Sequence, residues 1–262
     1  MIIDSHCHLD NSQYYDDIDE VIVRALENGI KGFLIPGADL NDLPRAQKLA
    51  EKYDEVFFSA GVHPYDIEQY DRKVLEEYIS HPKCIAVGEC GLDYFRLPED
   101  ETEKKENVQL QKEVFIDQIE FAKKVNKPLI VHIREASNDS RMILEEYNAK
   151  EVGGVLHCFN ASEHLLPLAK HNFYFGIGGV LTFKNARKLV EVLPKIPLEK
   201  LILETDCPYL TPHPHRGKRN EPYYTTFVAQ KVSELLNMPL EEVEKLTVDN
   251  TKALFKQFSK II

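Results

Sequence analysis

The strongest constraint in this sequence is an alternation. Eight short apolar runs recur from one end to the other: Ile2–His6, Gly32–Pro36, Val56–Ala60, Ile85–Glu89, Leu129–His132, Gly154–His157, Tyr174–Ile177 and Leu201–Glu204. Runs this short fit strands buried on both faces, and amphipathic stretches separate them. The clearest places Ile18, Val21, Ile22, Ala25 and Leu26 on one helical face, with Asp17 and Glu20 as a capping pair and Gly29 as the stop. Val108, Phe115, Ile119 and Ala122 form a second stripe, and the charged run Pro98 to Glu106 before it reads as a solvated loop. Strands alternating with helices predict a parallel sheet in an α/β fold. At 262 residues, a closed (β/α)8 barrel (a TIM barrel) is the economical form, since such barrels need about 250. An open doubly wound sheet comes second. The segments near Thr225–Leu236, Leu240–Leu246 and Asn250–Phe258 are expected to supply the last barrel helix and a C-terminal helical cap, within one domain over 1–262.

Composition narrows the function classes. Hydrophobic residues are 43% and charged residues 29%, which excludes a disordered or low-complexity chain. No apolar run approaches the ~20 residues of a membrane span, and the N-terminus does not read as a signal peptide. Asp and Glu number 43 against 32 Lys and Arg, for a net charge of −11. Such a chain repels polyanions at long range, so any nucleic acid must be held locally rather than coated along a duplex. Five scattered cysteines argue against a disulfide framework and for a cytoplasmic setting. Dinucleotide-binding and P-loop glycine patterns are missing at the expected places.

Ligand-type side chains recur where the apolar runs end: His6 and His8, Glu89, His132, His157, and Asp206. In a parallel barrel those ends meet at one mouth, where active sites sit. Residues i and i+2 of a strand share a side, so His6 pairs with His8, His132 with Arg134 and Glu204 with Asp206. The same parity turns Cys7, Cys90 and Cys158 away from the lumen, as small buried residues. Any one strand-terminal histidine is ordinarily hydrogen-bonded packing. Four imidazoles and two carboxylates in one mouth are better explained as ligands for two divalent ions, with Glu89 as the bridge.

Two accessory features adjoin this set. His63, before Pro64, is balanced between a turn residue and a contact to substrate phosphate or bound water. The loop containing Arg216, Lys218, Arg219 and Asn220 is the densest basic cluster, close after Asp206. It is either a solvated run or a phosphate grip overhanging the mouth. Tyr94, Tyr209, Tyr223 and Tyr224 could stack on a base, but packing is the commoner fate of such tyrosines.

The segments Asp4-Ser5-His6-Cys7-His8-Leu9-Asp10, Gly61-Val62-His63-Pro64, Val87-Gly88-Glu89-Cys90-Gly91-Leu92-Asp93-Tyr94, Pro128 to Arg134, His157-Cys158-Phe159, Leu203 to Leu210 and Arg216 to Pro222 together resemble the TatD family of metal-dependent deoxyribonucleases. They span nearly the whole chain, in order. The resemblance implies a (β/α)8 barrel of amidohydrolase-like type and hydrolysis of DNA, often from the 3′ end. It carries ligand roles onto His6, His8, Glu89, His132, His157 and Asp206. It also implies Mg²⁺, whereas four histidines argue for a softer ion such as Zn²⁺ or Mn²⁺.

The expected function is therefore a metal-dependent nuclease acting on the ends of single-stranded DNA. His6, His8, Glu89 and Asp206 would hold one ion, and Glu89, His132 and His157 the other. Glu89 and Asp206 are the catalytic carboxylates, Asp206 orienting or deprotonating the attacking water. His63, Arg134 and the Arg216–Asn220 loop would grip phosphate. DNA is the expected partner, with no membrane and no obligatory protein partner. An amide or ester hydrolase on the same barrel is the first alternative, and a non-catalytic metal-binding barrel the second.

Overall fold

The computed structural model describes residues 1–262. Eight parallel strands form one sheet in sequence order: β1 (Ile2–Asp4), β2 (Ile30–Ile35), β3 (Val56–Ala60), β4 (Cys84–Asp93), β5 (Leu129–Arg134), β6 (Gly154–Leu156), β7 (Phe173–Ile177) and β8 (Leu201–Leu203). The ring closes just beyond the strand ends, where Ser5 N donates to Leu203 O at 3.1 Å and Asp206 N to His6 O at 2.9 Å. The expected (β/α)8 barrel is present.

Eight α-helices pack around the sheet: α1 (Ile18–Glu27), α2 (Leu43–Lys52), α3 (Arg72–Ile79), α4 (Glu101–Val125), α5 (Ser137–Glu146), α6 (Arg187–Val192), α7 (Thr225–Leu236) and α8 (Leu240–Leu254). The connection after β6 is instead a 3-10 helix, Glu163–His171, because Pro167 inside it cannot donate an α-helical hydrogen bond. Three local expectations change. The run Pro98 to Glu106 is mostly helix, because Asp100 caps α4 by accepting from the Thr102 and Glu103 amides. Asp17 precedes α1 without capping it, since its carboxylate pairs with Arg219. Leu240–Leu246 and Asn250–Phe258 are continuous through α8, followed by a 3-10 helix at Lys256–Lys260.

The barrel interior is filled near the strand starts by residues from every strand, among them Ile3, Leu34, Phe57, Ile130 and Ile202. Phe255 and Phe258, both fully buried, join this layer. The C-terminal cap thus plugs the end of the barrel opposite the strand C-termini. Gly32 makes room for it: a Cβ there would lie 2.6 Å from the Phe258 ring. The second apolar layer lies between sheet and helices and includes Cys7 and Cys90, as parity requires. No helix is long and apolar enough to cross a membrane.

Candidate metal centre

The C-terminal mouth gathers the six expected ligands. Glu89 stands at their centre, 3% exposed. Its Oε2 is 3.3 Å from His6 Nε2 and 3.9 Å from His8 Nε2. Its Oε1 is 3.1 Å from His132 Nδ1 and 3.9 Å from His157 Nε2. One carboxylate therefore faces histidines on both of its oxygens. Asp206 Oδ1 lies 3.4 Å from His8 Nε2 and 3.7 Å from both His6 Nε2 and His157 Nε2. The ligand atoms of His6, His8 and Asp206 lie within 4.8 Å of one another, as do those of His6, Glu89 and His157.

His6 tests whether these residues fit a metal. It is fully buried, yet neither ring nitrogen makes a hydrogen bond. Its ring stacks on His157, centroids 3.3 Å apart and planes 11° off parallel. A buried nitrogen without a partner is costly. An ion between these rings and the two carboxylates would satisfy it, so the donor set fits.

The electrostatics agree. Burial and then the neighbouring His157 hold His6 below the ordinary histidine range, leaving a neutral imidazole. Burial alone would lower His157 too, but the charges of Glu204, Asp206 and Glu89 outweigh it and raise its pKa to about 10. Burial would likewise raise Glu89, yet the histidines around it hold it well below the ordinary carboxylate value. Protons on imidazole supply the positive charge these carboxylates demand, and a divalent ion can replace them.

Two carboxylates orient the histidines, and sequence reasoning assigned neither this role. Glu204 Oε1 is 3.0 Å from His157 Nδ1 and also accepts from the Cys158 amide at 2.6 Å. Asp93 Oδ2 is 2.8 Å from His132 Nε2. Asp93 fixes a proton on the outer ring nitrogen of His132, and Glu204 sets its charge beside the outer nitrogen of His157, so that in each ring the other nitrogen faces the centre. Parity along β4 could have revealed Asp93, since Glu89, Gly91 and Asp93 share a side. The parity that paired Glu204 with Asp206 could not have set Glu204 against His157, because the two meet only across the mouth, from the ends of β8 and β6.

His63 joins the centre, its Nε2 3.6 Å from Glu89 Oε1. Its Nδ1 accepts from the Tyr65 amide at 3.0 Å, so the ring proton sits on Nε2. Burial pushes its pKa down to about 3, which keeps it neutral. His63 therefore presents a donor inward, suited to an oxygen, and its ligand atom also lies within 4.8 Å of those of Glu89 and His132. Arg134 also lines the cavity, its guanidinium 3.6 Å from the Phe95 ring centroid.

The basic loop is not brought into the cavity. Arg219 pairs with Asp17 at 2.6 Å and Glu221 at 3.1 Å, and Asn220 is fully buried, donating to Thr205 O and Tyr209 O. Arg216 donates to Thr211 O at 2.9 Å and lies 3.9 Å from the Phe183 ring centroid. Lys218 is exposed, and none of the four lines the cavity. Arg219 ties the chain after β8 to Asp17 at the start of α1, and Asn220 braces it from within. Cys158 departs from expectation the other way. It follows β6 with φ +44° and lines the cavity, because strand parity ends with the strand at Leu156. Of the four tyrosines, Tyr209 lines the cavity, while Tyr94 donates to Asp139 outside it.

The comparisons with known proteins agree with this geometry. The pattern of the TatD related DNase family matches residues 3–256. The chain is 43% identical to an uncharacterized metal-dependent hydrolase, YabD, of Bacillus subtilis, over 98% of this chain and 99% of that one. It is 35% identical to the 3′-5′ ssDNA/RNA exonuclease TatD of Escherichia coli K12, over 97% and 98%. The crystal structure of YjjV, a TatD homolog from Escherichia coli K12, superposes with a TM-score of 0.88 at 28% identity, covering 97% of this chain and 98% of that one. With a barrel mouth furnished with ligands and a family match over nearly its whole length, the chain belongs to the TatD family of metal-dependent hydrolases.

Proposed function

We propose that the chain hydrolyses phosphodiester bonds at the ends of single-stranded DNA, working from a free 3′ end with two divalent ions. The observation that carries this reading is Glu89, whose two oxygens face histidines on opposite sides. That suits a carboxylate shared between two cations. His6, His8 and Asp206 would hold one, and His132 and His157 the other. Bound there, such ions would lower the pKa of water toward ~7 and offset charge developing at phosphorus.

The chain's own residues supply the rest. Asp206 stands at the edge of the cluster, lines the cavity and is the base available to take a proton from the attacking water. His63 directs its Nε2 proton inward and can hydrogen-bond a phosphate oxygen. Arg134 provides unpaired positive charge on the cavity wall. Glu204 and Asp93 hold their histidines in the ligating orientation.

The cavity, about 900 Å³, is at the upper end of the range for small-molecule sites, which gives room for a nucleotide and part of its neighbour. The relative named as a 3′-5′ ssDNA/RNA exonuclease supports the same substrate class and polarity. The test is incubation with 3′-blocked and 5′-blocked oligonucleotides across Mg²⁺, Mn²⁺ and Zn²⁺. Mononucleotide release only from the free 3′ end is expected. Cleavage of ester or amide substrates, with every oligonucleotide left intact, would replace this reading with the carbonyl-hydrolase alternative.

A further inference from the structure

Beyond the ligands, the cavity walls carry opposite charge. The strands run in sequence order around the ring, so the loops after β2 and β3 face those after β6 and β7 across the mouth. Asp39 and Asp42 follow β2, Asp66 follows β3, and all three line the cavity. No lysine or arginine forms an ion pair with any of them. Arg45, the nearest cation in sequence, lies over the Tyr15 ring at 4.1 Å instead. Burial and then the Asp39 and Asp42 charges raise Asp66, and burial followed by Asp39 raises Asp42 against the smaller opposing pull of His8 and Arg45, as expected of crowded carboxylates.

The arc that starts at β4, beside the acidic loops, and runs round to β7 opposite them is cationic. Arg96 follows β4, Arg134 ends β5 and Lys188 lies in α6 after β7, and all three line the cavity and are exposed. Arg134 rests on Phe95, and Arg96 lies 5.2 Å from the Tyr65 ring centroid. None of the three is paired with a carboxylate. In a chain of net charge −11, three cations unpaired with carboxylates around one cavity are an exception to the surrounding field.

We infer that this polarity selects strand ends, with Asp39, Asp42 and Asp66 as the specificity-determining residues. The inference rests on the phosphodiesterase reading of the same site. Phosphates of a single strand lie along the Arg134–Lys188 part of that arc, away from the acidic loops. The strand crosses the ligand cluster only as far as its terminal nucleotide. One more phosphate would sit against three carboxylates, where like charges repel. A terminal sugar carries no such charge, and its free hydroxyl can donate to a carboxylate. The acidic arc thus rejects both a continuing backbone and a terminal phosphate.

The experiment compares three substrates: an oligonucleotide ending in a 3′-hydroxyl, the same oligonucleotide ending in a 3′-phosphate, and covalently closed single-stranded DNA. The wild-type protein is expected to favour the hydroxyl end about tenfold over the phosphate end and to leave the circle intact. The triple variant D39N/D42N/D66N should narrow that preference to about twofold and begin to nick the circle. Raising the salt should narrow the wild-type preference as well, because screening shortens to ~3 Å at 1 M. Should the triple variant fail to fold, D66N and D39N/D42N must each narrow the preference in part. A folded variant with the wild-type preference, or a wild-type protein that cuts circles freely, overturns the inference while leaving the phosphodiesterase reading standing. A wild-type protein that cuts none of the three substrates overturns that reading, and the inference falls with it.

Discussion

Asp93 accepts a hydrogen bond from His132 across 2.8 Å, and in doing so decides which nitrogen of that ring faces Glu89. The Asp93 carboxylate is itself fixed by the Phe95 amide at 2.9 Å. Replacing Asp93 by Asn removes the charge that holds the tautomer but keeps the volume. Metal affinity should fall about 10–100-fold, the usual cost of losing such a partner. Calorimetric metal titration of wild type and D93N checks this. Equal affinities would show that His132 needs no orientation, or that it ligates nothing.

Glu89→Ala and Asp206→Ala should each abolish EDTA-sensitive cleavage of a single-stranded oligonucleotide. The expected loss is at least about 10²–10⁴ in kcat, on the scale of a missing general base or more. Circular dichroism should show the barrel intact, because neither side chain belongs to the apolar layers. Activity surviving both changes would place the chemistry elsewhere.

Phe258 plugs the barrel end remote from the site, and its ring fits the space left by Gly32. Phe258→Ala should cost about 3–5 kcal/mol of stability, as large-to-small core changes do. Thermal denaturation would show the loss, while kcat below the lowered transition stays near wild type. A Gly32→Val variant should be destabilised as well, since its side chain would strike the ring. A stable F258A protein with impaired catalysis would mean that the cap acts on the mouth.

Arg219 tests whether the basic loop binds substrate or holds structure. Its hydrogen bond depresses the pKa of Asp17 below the ordinary 3.8. A depressed carboxylate contributes stability that is full above its unfolded pKa and is lost as pH falls through the folded one. Arg219→Ala should therefore lower stability by about 1–2 kcal/mol near pH 7. The gap from wild type should close below pH ~4. Urea denaturation across that range measures it. KM for an oligonucleotide should hold, and a KM that rose severalfold at unchanged stability would restore the phosphate-grip role.

The barrel and the identity of its ligands were legible along the chain because both depend on local rules. Alternating apolar runs and helical stripes dictate strands and helices, and parity in a short strand sends His6 and His8 to the same side while Cys7 goes to the other layer. Those rules stop where the strand stops. Asp206 at φ +58° and Cys158 at φ +44° lie past strand ends, in backbone that no period-two pattern describes. The partners of charged groups lay further out of reach. Arg219 reads as a free cation until folding brings Asp17 beside it, although 202 positions separate them in sequence. Glu204 and His157 are likewise 47 positions apart and become orienter and ligand only when β6 and β8 converge on the mouth. The linear chain determined which chemistry is available and on which layer each strand presents it. Only the closed barrel decided which charges neutralise one another and which stay free, because Coulombic and hydrogen-bond partners are chosen through space.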